Sequence, residues 1–436
     1  MTSSPVAPLV PAGAAGVVAP PRPLAERLFP RESSTPAGIA RAPLDAPLRP
    51  GAAPAVLDIT EFFGETSGGI RTYLLEKAKY VEARACLRQV IVVPGPHDAV
   101  TEAAGVRCYR LRGAPIPGQA PYRLMLGRTP IRRIVAHERP HVIEVGSSFA
   151  VPWLVRGVAR ELGVPLAYFY HSNLGRLASP APERDGVVRQ VASQGAWAYA
   201  RLIDRQFAIT VATSRFSVSE LTAHGIERVV RVPLGVDLDT FHPVRRARRE
   251  ETRARHGLPI DRPLLGFVGR FAMEKEFPML MDAWSEIERR SDAWLVLVGD
   301  GPHRSQLEAF ARGRRVTVLP YQTTREALAD VHAALDLYVA PCSIESFGLS
   351  SLESLASGTP VLGPDLGGVR EQVENSGGGR LYEAGSAEAL AHEALGLLSV
   401  DLTALGAAGR AYAEREHAWS HVFDRLFDVY RGLRPA

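Results

Sequence analysis

The stretch that most constrains this chain runs from Leu335 to Asp365. It opens on an apolar strand, Leu335-Asp-Leu-Tyr-Val-Ala340, and Gly348 then breaks the pattern. A helical pattern follows from about Leu349 to Ala356, Gly358 stops it, and Pro360-Val-Leu-Gly363 starts another strand. Strand, loop, helix and strand in that order build a sheet covered by helices. Glu345 lies in the loop and Glu353 about one turn into the helix, with seven residues between them. The N–H groups at a helix start have no partner within the helix and suit a phosphate. Two carboxylates flanking such a site can accept hydrogen bonds from sugar hydroxyls. The competing reading makes both glutamates solvated charges favoured by the helix dipole. Their spacing alone leaves both readings open.

Glu345-Ser-Phe-Gly-Leu-Ser-Ser-Leu-Glu353, followed by Ala356-Ser-Gly-Thr-Pro-Val361, resembles the signature of retaining glycosyltransferases of family 4, which have the GT-B fold. The resemblance is specific here and extends more weakly over about residues 55 to 430. It implies an α/β chain of two Rossmann-like domains whose parallel sheets face each other across a cleft.

A length of 436 residues allows two or three domains. The formal net charge of +4 is too small for a dedicated nucleic-acid binder and suits an anionic substrate or membrane surface. Cys86, Cys108 and Cys342 show no metal spacing and fit a reducing compartment. No run of eighteen apolar residues is present, so no spanning helix is expected. Residues 1 to 50 hold eleven prolines and no sustained periodicity, and read as a disordered tail without a secretory leader.

A first strand, Pro54-Ala-Val-Leu-Asp-Ile-Thr60, leads to Gly64-Glu-Thr-Ser-Gly-Gly-Ile70 and a helix. Such a turn can bring backbone close to a phosphate or sugar. It is not the GxGxxG pattern, so a nicotinamide cofactor is disfavoured. Strands and helices then alternate, as in a parallel sheet with both faces covered, where ligands sit at the carboxyl ends of strands. His171 ends the strand Leu166 to Tyr170 at that edge. The plain alternative is a histidine that only caps backbone groups. Asp237-Leu-Asp239 imitates a metal-binding pair but fits a turn, and no metal is assigned. Arg245 to Arg255 is a basic run without interleaved aromatic platforms. It reads first as a solvated face, next as a membrane contact and last as a nucleic-acid site.

Pro263-Leu-Leu-Gly-Phe-Val-Gly-Arg270 opens the second domain, and Phe271-Ala-Met-Glu-Lys275 follows. Arg270 and Lys275, at a strand end and before a helix, can both reach a diphosphate. The family motif Gly-Arg … Glu-Lys matches these positions, though relatives often carry Gly where this chain has Glu276. The resemblance assigns catalysis to His171, Arg270, Lys275 and Glu345. It assigns donor binding to Gly68, Gly69, Arg270, Lys275, Tyr321, Glu345, Phe347, Gly348, Leu349 and Glu353. The expected domains are 51–240 for the acceptor and 241–415 for the donor, with helix 416–436 returning to the first. The expected reaction moves a hexose from a nucleotide-diphosphate sugar to a lipid or glycan hydroxyl, with retention and without metal or other cofactor. GDP-mannose is the first donor to test and UDP-hexoses the next. A sugar-nucleotide epimerase and a nucleotide-sugar binding protein without turnover are the alternatives. The expected setting is cytoplasmic, with a peripheral contact at the cytoplasmic face of a membrane as a variant, and no nucleic-acid partner.

Overall fold

The computed structural model describes residues 23–29, 53–64, 68–84, 86–116, 122–171 and 186–434. Two separate sheets organise them. The first contains β1 (Ala55–Ile59), β2 (Arg88–Gly95), β3 (Ala99–Ala103), β4 (Val106–Arg112), β7 (Val142–Val145), β8 (Leu166–Tyr170), β9 (Ile209–Ala212) and β10 (Val229–Arg231). A two-stranded ribbon, β5 (Ala114–Pro115) with β6 (Arg123–Leu124), stands beside it. The first sheet has the order β10-β9-β8-β7-β1-β2-β4-β3, parallel except for β3. The second contains β11 (Leu264–Val268), β12 (Trp294–Val298), β13 (Val316–Leu319), β14 (Leu337–Val339), β15 (Val361–Pro364) and β16 (Gly379–Tyr382). Its order is β13-β12-β11-β14-β15-β16, all parallel.

Every residue of β1, β8 and β11 is buried, as expected where helices cover both faces. Such strands present ligands only with their ends. Strand order reverses between β1 and β7 in one sheet and between β11 and β14 in the other. The crevice at such a reversal is the usual ligand site of an open α/β sheet.

The helix Trp419–Arg431 packs on the helix Gly69–Glu82 of the first sheet. Phe427 stacks on Tyr80 at 5.4 Å, and Tyr80 Oη donates to Asp424 at 2.5 Å. Deeper in, Tyr430 donates to Glu144, which also accepts from Lys77 at 2.7 Å. Lys77 donates to Asp58 at 2.6 Å. Burial lifts the Asp58 carboxyl to about 7 against the pull of Lys77. The chain recrosses at Val236, whose N–H donates to His417 O at 2.8 Å. Gly235 permits this crossing, because a Cβ there would stand 2.7 Å from the Trp419 ring.

Two expectations need correction. The patternless tail contains a short helix, Leu24–Leu28, whose Leu24 and Leu28 are buried in the core of the first sheet. Leu28 O accepts from Thr101 Oγ1 at 2.8 Å, and Phe29 lies 4.6 Å from the Phe63 ring. Five residues are too few to show a period, and prolines hide them. The rest of the tail lies outside the described residues. The basic run is not a solvated face either. Arg245 pairs with Asp330 at 2.6 Å, Arg249 with Asp336 at 2.5 Å, and the buried Arg253 with Asp336 at 2.8 Å. These aspartates are some 80 residues away in sequence, so spacing could not reveal them.

Removing residues 1–50 therefore strips apolar cover from the first sheet. Losing a buried leucine costs about 2–5 kcal/mol, and about 1 kcal/mol moves the midpoint of a domain of roughly 150–250 residues by roughly 2–4 °C. Differential scanning calorimetry should show a midpoint several degrees lower, with Leu28→Ala reproducing part of the drop. An unchanged midpoint would contradict the packing.

Candidate functional site

The loops leaving β11 and β14 meet at the reversal point of the second sheet. The β11 loop carries Arg270 and a short 3-10 turn, Met273–Lys275. The β14 loop carries Cys342 to Phe347 and ends in the helix Leu349–Ala356. Lys275 Nζ donates to Glu345 Oε2 at 2.5 Å. Burial opposes the charge on Lys275, but the Glu345 carboxylate outweighs it and holds the ammonium well above its usual range. Arg270 is exposed and points elsewhere, its guanidinium 6.0 Å from the ring of Tyr122 in the first domain.

The Glu345 loop is fixed from several sides. Glu345 O accepts from Gly368 N at 2.7 Å, and Phe347 O accepts from Gln372 Nε2 at 2.7 Å. Gly348 has a φ of +88°, and a Cβ there would stand 2.6 Å from Val369. No side chain caps the helix start that follows. Glu276, at the position where the family often has glycine, takes a left-handed φ of +50°. Its carboxylate accepts from Ser343 N at 3.1 Å and also from Ser343 Oγ. The departure from the family pattern thus supplies an anchor for the loop, which the sequence alone did not show.

His171 arrives from the opposite sheet. Its carbonyl accepts from Ser346 Oγ at 3.0 Å, while Ser346 O accepts from Ser214 Oγ at 2.6 Å. Ser346 therefore joins the two domains beside Glu345, a role that sequence reading missed. The His171 ring stacks on Phe169 at 4.4 Å, and burial drops its pKa to about 4, so it is neutral at physiological pH. Gly68 and Gly69 begin the helix Gly69–Glu82, and a Cβ at either would meet nothing within 4 Å. Glu65 to Ser67 of that loop, and Ser172 and Asn173 after His171, lie outside the described residues.

The remaining candidates are placed less openly. Glu353 is 4% exposed and pairs with Arg325 at 2.8 Å. Burial raises its pKa despite that partner. Phe347 is buried with its ring 5.8 Å from His417, and Leu349 packs on the same core, so their side chains serve packing. Tyr321 is exposed just past β13, two strands from β11. Asp237 holds its own turn by accepting from Thr240 N at 3.0 Å and Oγ1 at 2.8 Å. Among the described residues no group of three or more His, Cys, Asp or Glu side chains could hold a metal ion.

Residues 248–410 match the model of glycosyl transferases group 1, and residues 67–240 that of glycosyltransferase family 4. The chain is 31% identical over 343 residues to a GDP-mannose-dependent alpha-mannosyltransferase of Mycolicibacterium smegmatis, covering 78% of this chain and 85% of that one. The chain belongs to glycosyltransferase family 4. It is a glycosyltransferase with the GT-B fold, acting on a nucleotide sugar. A second relative, 32% identical over 312 residues, is the GDP-mannose-dependent alpha-(1-6)-phosphatidylinositol dimannoside mannosyltransferase of Mycobacterium tuberculosis, with 70% of this chain and 78% of that one covered. Sucrose-phosphate synthase of Thermosynechococcus elongatus shares the fold, with a TM-score of 0.70 and 23% identity over 87% of this chain and 98% of that one.

Two outcomes follow. Glu276→Gly relieves the left-handed backbone yet loses the anchor on Ser343. A charge-assisted hydrogen bond contributes roughly 1.5–3 kcal/mol, so the glycosyltransferase should lose about tenfold or more in kcat with little change in melting temperature. Turnover at the unaltered rate would remove Glu276 from the account. The second outcome concerns titration. His171 and His417 are lowered to about 4 and His332 to about 3, all three by burial. Each folded value lies below the unfolded one near 6.5, so each contributes stability that is lost as pH falls from about 6.5 toward 4. Their ring carbon resonances should not titrate between pH 5.5 and 8 in NMR spectra of histidine-labelled enzyme. An inflection near 6.5 at His171 would show that the ring is open to water.

Proposed function

We propose that this glycosyltransferase moves mannose from GDP-mannose to a hydroxyl of a lipid-linked or glycan acceptor, with retention at the anomeric carbon and without a metal ion, at the cytoplasmic face of a membrane. The observation that carries the reading is the Lys275–Glu345 pair at the reversal point of the second sheet, opposite His171. The names of the two mannosyltransferases support the donor, and the second name supports a lipid acceptor.

The hard step is departure of a charged diphosphate from an oxocarbenium-like sugar. Lys275 and the open start of the helix Leu349–Ala356 stabilise the charge that develops there, and Arg270 turns in from beside Tyr122 to join them when the donor binds. The Gly68–Gly69 helix start faces the same charge from the other domain. Glu345, held by Lys275, accepts hydrogen bonds from the hydroxyls of the transferred sugar. Glu353 takes the ribose in exchange for part of its contact with Arg325, and Tyr321 lies beside the base. Neutral His171 is a hydrogen-bond partner for the sugar and carries no charge that would repel a cationic transition state. No side chain is assigned as base; the departing phosphate accepts the proton of the acceptor.

Calorimetry with GDP, UDP and ADP, beside turnover of GDP-mannose in chelator, tests this reading. GDP should bind at least tenfold more tightly than the other two, and the proton spectrum of the product should show an α-mannoside. Glu345→Ala should lower turnover about ten- to a hundred-fold while GDP still binds; Glu353→Ala should weaken GDP itself by about that factor. Preference for UDP, a β-linked product, activity that returns only with magnesium or manganese, or normal turnover by Glu345→Ala would overturn the matching part of the proposal.

A further inference from the structure

Eleven large apolar side chains are exposed among the described residues, and five of them stand at the starts of three helices of the first domain: Leu126, Phe149, Trp153, Val188 and Val191. Leu126 precedes the helix Arg128–Glu138, Phe149 and Trp153 flank the start of the helix Val151–Leu162, and the two valines lie in the first turns of the helix Gly186–Asp204. All three helices cover the same face of the first sheet, through Ile134, Val155 and Ile203 among others. Tyr199 fixes the third helix to the second. Its hydroxyl donates to Ser148 O at 2.7 Å and accepts from Trp153 Nε1 at 3.2 Å. Val188 lies eleven residues before Tyr199. At 1.5 Å per residue, the helix start projects roughly 16 Å past that junction.

Charge lies beside the apolar groups of the first two helices. The two helices Arg128–Glu138 and Val151–Leu162 pack together and expose Arg128, Arg132, Arg133, Arg156 and Arg160 against a single exposed acid, Glu161. Trp153, Arg156 and Arg160 fall on one helical face, opposite the buried Val151, Val155 and Val158. Arg128 and Arg132 are engaged with Glu161, while Arg133, Arg156 and Arg160 extend the positive field. The patch is also continuous with the cleft. The Phe149 ring lies 5.2 Å from Phe62, Phe62 lies 5.8 Å from Tyr122, and Tyr122 lies 6.0 Å from the Arg270 guanidinium.

An exposed Trp and Phe rimmed by arginines is the pattern that rests in a headgroup layer, with the rings at the acyl boundary and the cations on the phosphates. We propose that this face of the first domain docks on an anionic lipid bilayer and presents the mouth of the cleft to it. The proposal deepens the reading of a lipid-linked acceptor, which would enter past Phe149 and Tyr122 without leaving the surface. It is tested without donor or acceptor, so that its failure is separable from that of the donor assignment.

The test is cosedimentation of the full chain with vesicles of phosphatidylcholine alone or with about a third phosphatidylglycerol. The protein should sediment only with the anionic vesicles, and at least tenfold more weakly at 0.5 M salt than at 0.1 M. Arg133→Glu/Arg156→Glu/Arg160→Glu should abolish sedimentation, and Leu126→Ser/Trp153→Ser should weaken it about tenfold. Both variants should melt at the wild-type midpoint in differential scanning calorimetry, which shows that they fold. The proposal is overturned if the wild type stays in solution with both vesicles or if the variants sediment like the wild type. It is equally overturned if the arginines instead hold a DNA duplex, or if the only effect of Leu126→Ser/Trp153→Ser is to dissociate a dimer in gel filtration.

Discussion

A parallel strand buried on both faces can carry chemistry only at its end, and this constraint arranges the whole molecule. The strands β1, β8 and β11 are buried along their full length, and apart from Asp58 of β1, which Lys77 engages, their charged neighbours sit where the strands stop. His171 follows a strand of the first sheet, while Arg270 and Glu345 follow β11 and β14 of the second. The reversal of strand order opens a crevice between β11 and β14, and the Lys275–Glu345 bond spans it. Two groups from separate loops are thereby fixed relative to each other before any substrate arrives. That is the condition under which electrostatic stabilisation costs no reorganisation during the reaction.

Among the described residues, polar contacts between the two domains gather on Ser346 and Glu371. Ser346 accepts from Ser214 and donates to the carbonyl of His171. Glu371 holds Arg231 at 2.5 Å and the N–H of Arg215 at 2.6 Å. The C-terminal helix closes the far side, where Tyr430 enters the buried Lys77, Asp58 and Glu144 cluster. A buried charge left without its partner is strongly destabilising. The chain end is therefore bound into the core of the first sheet.

Much of this was legible in the sequence. The buried strands are apolar runs, and Glu345, Gly348 and Glu353 stand in a loop and helix that their punctuation marks. Arg270 and Lys275 were legible as cations at a strand end. The remainder was hidden for physical reasons. Leu24–Leu28 is too short for a period. The antiparallel strand β3 is half-exposed and lacks the apolar run of its neighbours. The partners of Arg249 and Arg253 come from an aspartate more than eighty residues on. Glu276 is a residue type that rarely takes a positive φ, so its turn gives no local signal. Ser346 acts through contacts across the cleft, which no spacing within one domain records.

The central claim is that Lys275 and Glu345 work as one unit in donor turnover. A double-mutant cycle on kcat with Lys275→Met, Glu345→Gln and the combined variant measures that directly. The account predicts strong non-additivity: either single change costs nearly as much as both together, because each removes the geometry that the other needs. Losses that multiply in the double variant, as for two independent residues, would contradict it.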